Sequence, residues 1–166
     1  MRKLKYTLLL SLGLFLISTI SVKAQSISVG GGVGYGSKSE DFNFQVNAYY
    51  KLPSLPLRIG GDVGYSKPED NLTQIDGNAN VHLMLVDSEA VSLYGLTGLN
   101  VLYAKVSVGD ISESETYTGL NAGGGAEVNI GVGRAFGEVK YIIGRDIPND
   151  DGQVVIGAGI RVNISN

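Results

Sequence analysis

Four groups of side chains in this sequence have types that could do chemistry. His82 is the single histidine, and with Ser92 and Asp76 it could make the serine, histidine and acid grouping of acyl transfer. No local motif sets these three apart. A hydrogen-bonded interior histidine is the plainer reading, since buried polar groups normally satisfy one another. The second group is Arg58, Asp62, Asp76, Glu127, Arg134, Glu138, Lys140 and Arg161, with as many positive as negative members. Glu127 faces Arg134 across one hairpin, and Glu138 faces Arg161 across the next. Buried charges are tolerated only when paired, so Glu127, Glu138, Arg134 and Arg161 are expected to form one network. Third, Asp146, Asn149, Asp150 and Asp151 offer oxygen ligands for calcium, but their spacing misses the calcium-loop template and Asp-Asp-Gly is an ordinary turn. Fourth, Gly30 to Gly32 and Gly123 to Gly125 match no phosphate loop, because no helix follows either. They read as strand bends or as places where an interior is crowded.

Composition narrows the chemistry further. The chain has 166 residues, 24 glycines, no cysteine and no tryptophan, about one domain's worth. Without cysteine there is no disulfide, thiolate metal site, cysteine nucleophile or lipidated amino-terminal cysteine. One histidine excludes a multi-histidine metal site. A formal charge of −3 gives no reason to expect nucleic acid, which needs clustered Lys and Arg. The triplets Asn71-Leu-Thr73 and Asn163-Ile-Ser165 match glycosylation sequons of a kind common by chance. The expectation is therefore a protein that is not an enzyme, with no catalytic, cofactor-binding or metal-ligating residue and no cofactor.

The elements that position these side chains begin after a targeting segment. Residues 1–24 read as a secretory signal peptide: Arg2, Lys3 and Lys5, then an apolar run from Thr7 to Ile20, then Val22-Lys23-Ala24 before a cut ahead of Gln25. The apolar run is too short for a membrane helix. Removing the segment takes four of the 13 basic residues and no acid, leaving nine against 16 and a net charge of −7.

From there to the end the hydrophobic period is two, the signature of strands. Eight segments alternate: Ser26–Gly36, Phe42–Lys51, Leu57–Ser66, Ile75–Val86, Val91–Tyr103, Thr118–Ile130, Gly133–Gly144 and Val154–Ile164. The longer, polar connections are Ser37–Asp41, Lys67–Thr73, Val108–Glu115 and Arg145–Gly152. The short ones are Pro53–Pro56, Asp87–Ala90 and Gly131–Gly133. Long and short links thus fall at opposite ends of an up-and-down sheet, and residues 25–166 form one domain.

No charged residue falls on the apolar parity of any of the eight segments, whereas the polar parity carries the eight charges above. A soluble barrel turns its apolar parity inward. A transmembrane barrel turns it outward to lipid, where each Lys or Arg would cost about 2–4 kcal/mol at the midplane. Only closed barrels and helices can cross a bilayer, because every backbone amide must be paired within the protein. Tyr35, Phe42, Phe44, Tyr65, Tyr103 and Tyr141 cluster at the long-loop end, as an interfacial aromatic girdle would. Tyr94 and Tyr117 do not share that parity. The sequence predicts an all-β, eight-stranded antiparallel up-and-down transmembrane barrel in the cell outer membrane.

The segments Tyr117-Thr-Gly-Leu-Asn-Ala-Gly-Gly-Gly-Ala-Glu-Val-Asn, Gly137-Glu-Val-Lys-Tyr and Val155-Ile-Gly-Ala-Gly-Ile-Arg-Val carry a family likeness. Across residues 25–166 the chain resembles the small eight-stranded outer-membrane barrels, the OmpX-like, OmpA-barrel-like and opacity-protein-like domains. The resemblance implies outer-membrane lipid and the barrel assembly machinery as partners. Such barrels usually end on an aromatic residue read by that machinery, whereas this chain ends Val162-Asn-Ile-Ser-Asn166.

An eight-stranded barrel is about wide enough to be filled by side chains, so the inward charges are expected to plug it. The loop end carries Glu40, Asp41, Glu69, Asp70, Asp110, Glu113, Glu115, Asp146, Asp150 and Asp151 against Lys38, Lys67 and Arg145. That balance of −7 would draw a cationic surface partner or divalent ions. The expected role is structural or interactive, in envelope integrity or surface adhesion. One alternative is a secreted or periplasmic soluble barrel binding a small apolar ligand, which needs the Val, Leu, Ile and Tyr parity to face inward. Another is a lipid-modifying outer-membrane enzyme using His82.

Overall fold

The computed structural model describes residues 27–109, 111–145 and 152–164. Residues 1–26, with the expected targeting segment among them, Asp110, the Asp146–Asp151 cluster and the last two residues lie outside them. Alternation of apolar and polar side chains gives eight strands: β1 (Ile27–Gly36), β2 (Asp41–Lys51), β3 (Leu57–Glu69), β4 (Leu72–Asp87), β5 (Val91–Val108), β6 (Ile111–Asn129), β7 (Arg134–Ile143) and β8 (Gln153–Ile164). They close into one barrel in chain order. The seam joins β1 to β8, antiparallel, from Ile27 opposite Ile164 to Gly36 opposite Val155. Closure removes the sheet edges that would otherwise leave backbone amides unpaired.

The two parities separate cleanly. Phe44, Val46, Val63, Leu99, Leu120 and Ile156 lie on the outer surface, each more than half exposed. Inside, most of the buried side chains are polar or charged, among them Arg58, Asp62, Asn80, His82, Asn100, Asn121, Glu127 and Arg161. The Val, Leu, Ile and Tyr set therefore does not face inward, and the arrangement that a soluble barrel with an apolar pocket needs is not the one present. Outside, the aromatic residues form a band. Tyr35 pairs with Phe42 with ring centroids 5.3 Å apart, and Phe44 sits opposite Tyr65. Tyr65 is opposite Ile75, and Ile75 is opposite Tyr103. Lys105, two residues beyond Tyr103 on the same face of β5, is the first outward charge on that strand, as expected where a strand leaves hydrocarbon.

Two of the expected loops are strand. Most of 67–73 and 108–115 belongs to β3, β4, β5 and β6, with Glu69 opposite Leu72 and Val108 opposite Ile111. The ladder continues there with polar residues on both faces, Lys105 opposite Ser114 and Ser107 opposite Ser112 on one, and Glu113 and Glu115 opposite Val106 and Ala104 on the other. Above the lipid level neither face has to be apolar, so the hydrophobic period stops before the hydrogen bonding does. As a result β3 and β4 reach the same height, and the β5–β6 hairpin stands beyond them and well beyond β7. Among the described residues, β6 positions 111–119 pair with β5 alone, because pairing with β7 begins at Leu120 opposite Ile143.

Candidate functional site in the barrel lumen

Strand pleating places the inward charges at defined heights along the lumen. Nearest the short turns, Glu127 of β6 is the shared ion-pair partner of three guanidiniums. Arg161 Nη1 lies 2.5 Å from its Oε1, Arg58 Nη2 lies 2.7 Å from the same oxygen, and Arg134 Nε lies 3.3 Å from Oε2. Arg134 also donates to Ser92 Oγ at 2.8 Å and to the backbone carbonyls of Ser88 and Glu89, so it straps the β4–β5 turn to β7. Above this cluster, Glu138 Oε2 accepts from Tyr94 Oη at 2.8 Å and lies 3.5 Å from Arg161 Nη2.

The chain of contacts continues toward the loops. Lys140 Nζ stands 3.7 Å from Glu138 Oε1 and donates to Asp62 Oδ1 at 3.0 Å. The Asn78 amide donates to both Asp62 and Asp76 at 2.7 Å. Asp76 then meets Arg145 Nη2 at 2.6 Å, and Arg145 also donates to Asn100 and Gln153. All eight charges named from the sequence therefore lie in one connected array. Asn78, Asn80, Asn100 and Asn121 link its parts, the Asn121 amide donating to Asn78 and Asn80 at 2.9 Å.

Arg145 corrects the expected loop balance. Unlike the other described residues of that balance, it is 7% exposed and pairs within the lumen. Gly144 just before it has a φ of 74°, a left-handed conformation that glycine adopts freely, and the Arg145 side chain meets Asp76, Asn100 and Gln153 in the lumen. A charge beyond the last apolar residue reads as a loop charge, so the alternation does not show this.

Between the two halves lies an aromatic layer that the parity marks but the charge pattern does not. His82 is fully buried, stacked on Tyr94 with centroids 4.5 Å apart and planes 6° from parallel, and 4.4 Å from Tyr49. Arg161 lies over Tyr49 and over Phe136, 4.0 Å from the latter's centroid. Glycines make room for this layer. A Cβ on Gly125 would fall 2.5 Å from Tyr94 Oη, and one on Gly30 would fall 2.7 Å from Arg161 Cγ. Gly30 and Gly125 of the two glycine runs thus serve interior crowding, while Gly32 and Gly123 lie against the backbone of a neighbouring strand.

His82 Nδ1 lies 3.0 Å from Arg58 Nη2. A guanidinium has donors only, so Nδ1 is the acceptor and the ring is neutral with its proton on Nε2. The side-chain partners of Ser92 are Asp87 and Arg134, and those of Asp76 are Asn78, Asn100 and Arg145. The barrel does not join His82, Ser92 and Asp76 by hydrogen bonds, and the geometry of an acyl-transfer triad is not formed. Among the described residues no group of acids and histidines is arranged to hold a metal ion.

Residues 8–161 match the family model of the Outer membrane protein beta-barrel domain. No curated protein matches the chain. Among solved structures, the chain is similar to the N-terminal β-barrel domain of Pseudomonas aeruginosa OprF, at 13% identity and a TM-score of 0.64 over 82% of this chain and 96% of that one. It is similar to Neisserial surface protein A at 17% and 0.61, over 83% and 94%. The attachment invasion locus protein Ail of Yersinia pestis gives 22% and 0.53, over 82% and 96%. At these identities the likeness is one of fold.

Proposed function

The chain belongs to the Outer membrane protein beta-barrel domain family, and from that premise we propose that it is a non-enzymatic envelope protein with a plugged lumen and a surface-interaction role. The plug is the array from Arg134 to Arg145 with the Tyr49, His82 and Tyr94 layer across it. The surface role is carried by one observation, the extension of the β5–β6 hairpin beyond β4 and β7. Its β6 side offers backbone groups at 111–119 with no partner strand among the described residues. Its tip exposes Val108 and Ile111 to 66% and 71%, and Glu113 and Glu115 give it negative charge. An open strand edge with an apolar tip suits pairing with an extended segment of another protein, and the acids favour a cationic one.

The test is to replace residues 106–113 by a tight turn, leaving the lipid-facing barrel intact. The shortened chain should still shift its gel mobility on boiling and still fractionate with the outer membrane. Cell-to-cell aggregation or adhesion by cells displaying it should fall to background. Unchanged adhesion would remove the extension from the role. For the plug, the expected planar-bilayer result is no stable open channel, and a steady conductance would refute it. His82→Ala should leave membrane lipid composition unchanged, whereas altered acyl composition would support a lipid-modifying enzyme instead.

A further inference from the structure

At the long-loop end the lumen holds a polar cavity of about 30 Å³, room for one or two water-sized groups. Three acids line it, Asp41, Asp62 and Asp76, against two bases, Lys140 and Arg145. Lys140 pairs with Asp62 at 3.0 Å, and Arg145 pairs with Asp76 at 2.6 Å. Asp41 is left over. It has no ion pair or side-chain hydrogen bond among the described residues, and one of its oxygens, Oδ2, is buried. The adjoining turns do not make up the difference, because Lys38 and Glu40 are both exposed and offset one another and Lys67 pairs with Asp70.

The neighbours of Asp41 are free as well. Asp41, Asn43 and Gln45 alternate along the inner face of β2, and opposite them on β1 stand Gly36, Gly34 and Gly32, which present no side chain. Ser66 of β3 lies opposite Asn43 and Gln74 of β4 lies opposite Ser66. These three form one row across the strands, with about 5 Å between neighbours. All five residues line the cavity and are half-buried. Like Asp41, the side chains of Asn43, Gln45, Ser66 and Gln74 make no hydrogen bond to a described residue. Asn43 Oδ1 is a second buried acceptor without a donor. Buried acceptors left unpaired are costly, and they mark a place for water or an ion. The uncompensated carboxylate favours the ion, and a positive one.

We propose that this cavity binds a small hard cation, with the Asp41 carboxylate as its charged ligand and oxygens of Asn43, Gln45, Ser66 and Gln74 around it. The described residues bring no three acids or histidines together. One carboxylate with neutral oxygens makes a weak, exchangeable site of the kind hard cations accept. A space of one or two waters suits a monatomic ion and not an organic cation such as choline. In barrels of this kind the longer loops face the exterior, so the ion would enter from outside the cell. The inference rests on side chains at the loop end of the lumen and stands whether or not the β5–β6 hairpin engages a partner.

The full mature chain, refolded in neutral-detergent micelles, should be titrated separately with calcium chloride, magnesium chloride and sodium chloride. Choline chloride holds the ionic strength constant, and the readout is the backbone amide resonances of Asp41, Asn43, Gln45 and Ser66 by NMR. The expected result is a saturable shift with a dissociation constant of about 10⁻³ M. Saturation by calcium alone marks a large, flexible oxygen shell, by magnesium as well a general divalent site, and by sodium a monovalent one. No saturable shift with any of the three leaves water as the occupant and overturns the proposal. Asp41→Asn should weaken binding about tenfold, since ligand charge sets the affinity of oxygen sites. Asp150→Asn, in the acidic segment 146–151, should leave binding unchanged. The reverse pattern would place the ion in that segment and overturn the assignment. Should Asp41→Asn fail to fold, Gln45→Leu, which removes one neutral oxygen, should weaken binding too. An affinity unchanged in Gln45→Leu would overturn the assignment.

Discussion

Glu127 is the side chain on which the short-turn half of the lumen depends. Glu127→Gln would leave Arg58, Arg134 and Arg161 without their common carboxylate, and breaking a buried ion cluster in this way costs about 3–5 kcal/mol. Arg134→Met should cost less, about 1–2 kcal/mol, because Glu127 keeps Arg58 and Arg161 while Arg134 gives up mainly its bonds to the β4–β5 turn. Urea unfolding of the refolded barrel in lipid vesicles measures both, and equal losses would show that Glu127 is not the hub. Gly125→Ala tests the aromatic layer, since the new methyl would meet the Tyr94 hydroxyl at 2.5 Å. It would also meet Tyr94 Cζ at 2.6 Å and the Gly137 carbonyl at 2.7 Å. Overpacking of this kind costs about 1–3 kcal/mol, and an unchanged urea midpoint would show that the layer has room to spare.

At the scale of elements, the alternation placed the membrane part of every strand because one face of each must meet hydrocarbon. It failed where that demand ends. Ser107, Ser112, Ser114 and Thr116 look like loop residues in sequence, yet they lie in the β5–β6 ladder. Arg145 was hidden for a related reason, since it lies past the end of β7 and the left-handed Gly144. Tyr49 and Tyr94 were legible by parity alone, but nothing in the sequence states that they sandwich His82. Among the turns, Glu40 between β1 and β2 is the single non-glycine residue of positive φ among those described, at 49°. Glu40→Gly should raise stability by about 0.5–1 kcal/mol, since only glycine occupies that region without steric cost. Loss of stability on the same urea curve would mean that the Glu40 side chain contributes more than its backbone costs.

For the molecule as a whole, the distribution of polarity is the inverse of a soluble fold and makes a simple demand of its surroundings. Val46 is 65% exposed near the middle of the lipid-facing run of β2. Val46→Lys should destabilise the barrel in bilayers by about 2–4 kcal/mol and scarcely affect a water-soluble protein. Comparing its folding in vesicles with that of the parent chain decides the matter, alongside the mobility shift on boiling that a closed membrane barrel displays.

Arg161 gives the ion cluster a place in time as well as in space. It sits on β8, the last strand, and bonds Glu127, 34 positions earlier, and Asn47, 114 positions earlier. The Glu127 contact spans only β6 to β8 and can form in an open sheet, whereas Asn47 and Tyr49 on β2 meet Arg161 only once the first and last strands have joined. These β2 contacts then behave as a latch that closes after the cylinder does. Weakening them should leave the rate of insertion nearly unchanged and speed the rate of release.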